Sequence, residues 1–279
     1  MQKKPLVSII INCLNGSKYL NEAIKSVLDQ TYRNWEIIFF DNNSTDQSRS
    51  ILQTYNEKRI KYFKSKVTHT LYKARNLAIK KSKGDLIAFL DVDDWWTKNK
   101  LKKQVNFFLT HKTVDVIYSN VFLFNEKKKE KKIFIKRKLN TGKITQKLIN
   151  KYELPILSSV VKKKVFDQIK FDNRFTIIGD FDFFVRLSLI RNISAIQEPL
   201  AYYRIHSFNL SKKKINLNIK ELEIWLSEKK KEKKFKNFNF SRLYSLVETL
   251  KIQKYFVDRS VFKLFFGVFR KFKTLISDF

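Results

Sequence analysis

The sequence predicts an open, mostly parallel α/β sheet flanked by helices, followed by a basic helical tail. Three observations predict it. Short apolar runs alternate with helical patterns over the first 125 residues. Three of those runs lack polar alternation, as strands covered on both faces do. Beyond Ser211 the chain turns Lys-rich and helical without turn signals.

The elements follow in order. Strands are expected at 6–11 (LVSIII), 35–40 (WEIIFF), 59–64 (RIKYFK), 86–90 (LIAFL) and 114–124 (VDVIYSNVFLF). Between the first two, Leu20, Ala23, Ile24, Val27 and Leu28 recur at helical spacing, with Ser17 placed to cap after an Asn15-Gly16 turn. A second helix is expected near Asp46, a third over 70–82, and a fourth after Thr97 with Leu101, Val105, Phe108 and Leu109 inward. The charge run EKKKEKK from 126 reads as a solvated hairpin turn, PILSSVVKKKVFDQI as a strand and short helix, GDFDFFVRLSLI as a buried helix, and EPLAYYRIHSFNLS as an extended segment.

Composition bounds the function. The chain has 279 residues, 43% of them hydrophobic and 15% aromatic, enough to fill a sizeable core. Lys and Arg number 58 against 26 Asp and Glu, a formal charge of +32 that favours anionic ligands of any kind. The single cysteine, Cys13, excludes an intramolecular disulfide and a cysteine metal cluster. No apolar run approaches the roughly 20 residues that span a bilayer. The start MQKKPLVSII has no small-residue cleavage site, so the run is expected as a first strand in a cytoplasmic protein. A nucleic-acid-binding protein would suit the charge, yet the charge is spread along the chain and no nucleic-acid motif accompanies it, so no nucleic acid is expected.

In open α/β sheets ligands bind outside the carboxyl ends of the strands. Four polar clusters lie at those ends: NCLN, DNNSTD, THTLYKARN and DVDD. The last is the most demanding. Two carboxylates about 5 Å apart repel by about 3 kcal/mol at an effective dielectric near 20. Period-two spacing points Asp91 and Asp93 the same way off the strand end. A divalent cation, Mn²⁺ or Mg²⁺, would offset the repulsion and bring substrate phosphates with it. Asp94 stands close to the Thr97 helix and is equally readable as part of its approach.

The blocks VSIIINCLNGSKYLNEAIKSVLDQTYRNWEIIFFDNNSTD, KARNLAIKKSKGDLIAFLDVDDWW, GDFDFFVRL and EPLAYYRIHSFNLS, in that order and spacing, resemble glycosyltransferase family 2, the inverting enzymes of the GT-A (Rossmann-like) fold. The resemblance covers about residues 5 to 211. It implies a glycosyltransferase domain over 1–211, with a nucleotide-binding half at 1–125 and an acceptor-side half at 126–211, and leaves 212–279 as a basic helical extension. It further implies a nucleotide-sugar donor, most simply a UDP-sugar, and a glycan or lipid-linked acceptor in cell-surface polysaccharide synthesis.

By that likeness Asn12, Asn15, Asp41 and Asn42 would hold the nucleotide, and Arg75 and Asn76 would lie near the nucleotide and diphosphate. Asp91 would contact the ribose, and Asp93 would ligate the metal. Asp94 is a second ligand, a sugar contact or only the approach to the next helix. Asp180 inherits the role of catalytic base. His206 would ligate the metal through a neutral imidazole or contact the diphosphate. Asp182 reads as an (i, i+4) partner of Arg186.

The chain departs from the family pattern at three positions. Asn42 stands where an Asp is common; an amide both donates and accepts, which suits uracil. Leu14 replaces a common Tyr and offers less stacking surface. Gly179 replaces a usual acid, which leaves acceptor preference open, and the three departures together motivate the rival reading of a catalytically silent nucleotide-sugar binder. Finally, the segment 255–279 places Val261, Phe265, Val268, Phe269 and Phe272 on one side and Lys263, Arg270 and Lys271 on another. That pattern suits peripheral contact with an anionic membrane, at the inner face of the cell membrane, or packing on the domain.

Overall fold

Strand β1 (Val7–Cys13) is buried at every position. Its Ile9, Ile11 and Cys13 face a core shared with Leu20, Ala23, Ile24 and Val27 of helix α1 (Ser17–Leu28). Each large aliphatic side chain buried there contributes about 1.5–3 kcal/mol. The computed structural model describes residues 4–207 and 209–256, and it divides into two units, Met1–Asn209 and Leu210–Phe279.

β1 lies between two parallel neighbours, β2 (Trp35–Asp41) and β4 (Leu86–Phe89), and β3 (Ile60–Lys64) extends the parallel set beyond β2. Helix α2 (Ser48–Gln53) follows β2, and α3 (Leu71–Lys81), capped by the Thr70 hydroxyl, packs over β1 and β2 on the face opposite α1. A buried polar knot sets the start of β4. The Ser8 hydroxyl donates to Glu36 at 2.6 Å and accepts from the Gly84 N–H at 2.8 Å, while Lys83 N–H donates to the same carboxylate at 2.7 Å. A Cβ on Gly84 would stand 2.6 Å from the Ser8 nitrogen, so the chain passes there only as glycine.

The second half departs from sequence order. β5 (Trp95–Trp96) and α4 (Lys100–Thr110) lead to β6 (Val116–Asn125), which forms a hairpin with β7 (Glu130–Ile133). α5 (Thr145–Asn150), β8 (Val160–Lys162), α6 (Val165–Gln168), α7 (Gly179–Ile190) and β9 (Ile193–Ile205) complete the unit. The sheet order is β3-β2-β1-β4-β8-β6-β9-β5, with β7 on β6. β6 does not neighbour β4: the short β8 lies between them, antiparallel to both. β9 runs parallel to β6 along its whole length, and β5 pairs antiparallel with β9 through Trp95 opposite Tyr202 and Trp96 opposite Ala201. This last pairing brings the end of β9 beside the DVDD loop. The result is the mixed, mostly parallel sheet with flanking helices that the sequence implied.

One local expectation is corrected. Ser17 does not cap α1; Gly16 occupies the cap position without a side-chain bond, and the DNNSTDQS loop supplies the acceptors instead. Asp46 accepts the Ser17 N–H at 2.9 Å, Ser48 Oγ accepts the Gly16 N–H at 3.0 Å and Ser44 Oγ accepts the Asn15 N–H at 3.0 Å. Asp46 also accepts the Ser48 N–H at 3.0 Å, so it serves the starts of both α1 and α2.

In the second unit, α8 (Leu210–Lys213) and α9 (Ile215–Lys231) precede a short 3-10 turn at Lys233–Phe235 and a helical stretch at 241–256. Trp225 packs edge-on to Phe235 and Phe240 in its core. The apolar stripe proposed for membrane contact falls beyond 256 and lies outside the described residues.

Candidate active site

The predicted nucleotide residues converge at the carboxyl ends of β1 and β2, but they are engaged differently. Asp41 is buried and accepts from the Ser44 N–H and from the Tyr62 hydroxyl, both at 2.7 Å. Burial, then the Asp41 carboxylate, pushes the Tyr62 phenol up to about 12. The Asn42 amide clamps the backbone of His69, donating to its carbonyl at 2.9 Å and accepting its N–H at 3.0 Å. Asn15 takes a left-handed conformation (φ 57°) and its side-chain oxygen accepts the Thr45 N–H at 2.8 Å, as turn chemistry requires. Asn12 is the exception. It is only 8% exposed, and neither its Nδ2 nor its Oδ1 has a hydrogen-bond partner. An unpaired buried amide costs about 1–3 kcal/mol, the kind of expense that a ligand would relieve.

Helix α3 contributes Arg75, whose guanidinium is 2% exposed and pairs with Asp91. Burial pulls the Arg75 pKa down, and the charge of Asp91, together with Tyr72, Asp180 and the hydrogen bond to Asp91, more than reverses it, so the group stays ionised. Its Nη1 has no partner. Asn76 is turned elsewhere. Its amide donates to the Phe171 carbonyl and to Asn173 Oδ1, each at 2.8 Å, tying α3 to the segment before α7.

The DVDD loop places three carboxylates in three environments. Asp91 faces Arg75. Asp93 presents Oδ2 to His206 Nε2 at 2.9 Å. Asp94 is buried and accepts the backbone N–H of Arg204 at 2.8 Å. Burial first, then the charges of Asp93 and Asp91, raise the Asp94 carboxyl well above the usual range.

Arg204, which sequence reasoning missed, organises this loop. Its Nε donates to the Asp93 carbonyl at 2.8 Å, its Nη2 pairs with Glu22, and its guanidinium lies 4.7 Å from the Tyr19 ring centre and 4.5 Å from that of Trp95. Asn209 fixes the next turn, donating to the Arg204 carbonyl at 3.0 Å and accepting the His206 N–H at 2.7 Å. Arg204 alternates onto the strand face of Tyr202, which was the available signal.

Across the crevice, α7 starts at Gly179 and carries Asp180 in its first turn. Burial raises the Asp180 carboxyl from its ordinary value, against the pull of Arg75, the Tyr72 hydroxyl, the Phe181 N–H and the Tyr152 hydroxyl. Tyr203 of β9 also senses this field: burial, then Asp94, Asp93, Asp91 and Asp180, raises its phenol. Asp182 is buried and grips Arg186 at 2.9 and 2.5 Å, the structural pairing its spacing implied. Tyr72, Tyr152 and Tyr203 carried no motif.

Among the described residues no group of three or more His, Cys, Asp or Glu is arranged to hold a metal ion. Asp93 and His206 form a pair of donors, oxygen and nitrogen. That set fits a divalent cation whose remaining ligands are water and phosphate oxygens.

Residues 8–170 match the family model "Glycosyl transferase family 2". The chain belongs to that family. It is 30% identical over 213 residues to the UDP-Glc:alpha-D-GlcNAc-diphosphoundecaprenol beta-1,3-glucosyltransferase WfgD of Escherichia coli, a match covering 75% of this chain and 81% of the relative. Among solved structures it is similar to S. aureus TarS 1-349 in complex with UDP-GlcNAc, with a TM-score of 0.65, 18% identity, and 88% of this chain and 71% of that chain covered. The mannosyltransferase PcManGT from Pyrobaculum calidifontis, solved with GDP-Man and Mn²⁺, gives a TM-score of 0.63 at 13% identity, covering 83% of this chain and 66% of that one. These neighbours share the fold. Family membership makes the chain a glycosyltransferase.

Proposed function

We propose that this glycosyltransferase moves a sugar from a UDP-sugar to a hydroxyl of a glycan or lipid-linked acceptor, with inversion, in the synthesis of a cell-surface polysaccharide. The observation that carries the proposal is the meeting, around Tyr203, of the Arg75–Asp91 pair, the Asp93–His206 pair and the Asp180 carboxylate. The similarity to a glucosyltransferase named for UDP-Glc and a diphosphoundecaprenol acceptor supports the donor and acceptor classes.

Each group has a task. The open amide of Asn12 offers a donor and an acceptor to the nucleotide, on a frame that Asn15, Asp41 and Asn42 hold in shape. Arg75 orients Asp91 towards the ribose hydroxyls, and Asn76 fixes α3 in place for it. Asp93 and His206 would hold Mn²⁺ or Mg²⁺, which when bound neutralises charge on the diphosphate. Asp94 keeps the loop on β9.

Asp180 accepts the proton of the acceptor hydroxyl as its oxygen bonds to the anomeric carbon. The bond from that carbon to the phosphate oxygen breaks, and its electron pair leaves with UDP. General-base assistance of this kind contributes about 10²- to 10⁴-fold. Work at the inner face of the membrane on a lipid-linked acceptor is part of the proposal, supported by the +32 charge. Among the described residues no helix is long and apolar enough to cross a membrane.

Turnover of nucleotide sugars tests the proposal. UDP release should require Mn²⁺ or Mg²⁺, Asp93→Ala should abolish it, and Asp180→Asn should keep donor binding while losing transfer. Release unchanged in Asp93→Ala would remove the metal assignment, and transfer retained in Asp180→Asn would remove the base.

A further inference from the structure

Gly179 opens α7 immediately before Asp180, and its lack of a side chain has a specific neighbour. A Cβ built on Gly179 would stand 2.2 Å from Cδ2 of Tyr72, 2.4 Å from Cγ and 2.6 Å from Cε2. The contact is with the root of the ring, not its tip. The ring cannot swing away, because Tyr72 is 3% exposed and is held between Phe171, at 5.2 Å between centroids, and the Arg75 guanidinium, 4.9 Å from the ring centre. Arg75 is held in turn by Asp91. A rigid stack therefore runs from the donor-side carboxylate Asp91 through Arg75 and Tyr72 to the backbone that carries Asp180.

We infer that Tyr72 is the positioning residue of Asp180, and that position 179 is glycine because the Tyr72 ring fills its side-chain space. The inference rests on the reading of Asp180 as the base and adds what sets that base in place. The Tyr72 ring fixes the first turn of α7 sterically, and its hydroxyl favours the ionised form of the Asp180 carboxylate. The other groups facing Asp180 are Arg75 from α3, Tyr152 from the segment after α5, and Tyr203 from β9, with Asp91 behind Arg75.

Two arms test it in the full-length protein. In Tyr72→Phe the ring stays and the hydroxyl goes, so the acid limb of the transfer rate should move to higher pH while donor KM stays constant. In Gly179→Ala the ring and the new methyl collide, so transfer should fall about 100-fold. Tyr72→Ala/Gly179→Ala should lose less Tm than the two single losses added together, because the collision is gone, while transfer stays low without the positioning ring. An unmoved acid limb in Tyr72→Phe, a fully active Gly179→Ala, or a double variant whose Tm losses simply add would each overturn the inference. Asp180→Asn separates this from the base assignment. If it loses transfer while Tyr72→Phe keeps the wild-type profile, only the positioning role fails; if it retains transfer, the base itself is wrong.

Discussion

The imidazole of His206 stands 2.9 Å from the carboxylate of Asp93, its partner across 113 residues of chain. The strand pairing of Trp95 with Tyr202 and Trp96 with Ala201 makes the meeting possible, and Asn209 orients the histidine backbone. His206→Ala should raise the Mn²⁺ concentration for half-maximal UDP release about 10- to 100-fold, with activity largely recovered at saturating metal. Metal titration of the initial rate checks this; a purely structural histidine would lower the rate without moving the midpoint.

Asn12 should trade stability against binding. Its amide is buried and unpaired, so Asn12→Leu removes a desolvation cost at similar volume. Equilibrium urea unfolding should show about 1–2 kcal/mol of added stability in the donor-free protein. Donor affinity measured by titration should fall in the same variant.

Lys100 offers a pH-dependent prediction far from the crevice. It is fully buried beneath Trp96 (4.0 Å to the ring centre), with the Gln104 side-chain oxygen accepting from its Nζ at 2.7 Å, and burial holds its pKa well below the usual lysine range. The folded state favours neutral lysine while the unfolded chain carries it charged. The resulting cost is fully present below the folded pKa and vanishes as pH rises towards the unfolded value of about 10.4. Lys100→Met should therefore stabilise by about 1–3 kcal/mol near neutrality, and the gain should shrink as pH rises. Denaturant unfolding at a series of pH values measures it.

Arg204→Ala should loosen the DVDD loop, since it removes the bond to the Asp93 carbonyl and the packing on Tyr19 and Trp95. A loss of about 2–3 kcal/mol in unfolding free energy is expected. Arg204→Lys should recover only part of it, because an ammonium reproduces neither the fork nor the stack. The Asp94 bond survives both changes, being made to the backbone N–H.

Much of the site was legible in the sequence because it lies where strands end, and strand ends are marked by abrupt apolar-to-polar changes such as Leu90 to Asp91. What the sequence hid was what each polar group is bonded to. Asn42 and Asn76 look like ligand contacts by type, yet their amides are taken by the backbones of His69 and Phe171, segments distant in sequence. Arg204 was missed because its alternation with Tyr202 marks a strand face but no role; the role arises only once β5 pairs with β9. The place of β8 in the sheet was not legible for a related reason. Its three residues are too few to declare neighbours, and the long register of β6 on β9 decides the order. Gly179 showed as a departure from pattern, but its cause, the Tyr72 ring, sits more than a hundred residues earlier.

The bonds from α3 to the chain before α7 have a consequence for motion. Thr70 Oγ1 donates to the Asn173 carbonyl at 2.5 Å, and Asn76, six residues further along, holds Phe171 and Asn173. A local opening that frees the amides of 171–181 must first break these bonds, and breaking them releases the start of α3. Native-state hydrogen exchange should therefore find 70–76 and 171–181 opening with one shared free energy, a single cooperative unit assembled from two stretches of chain.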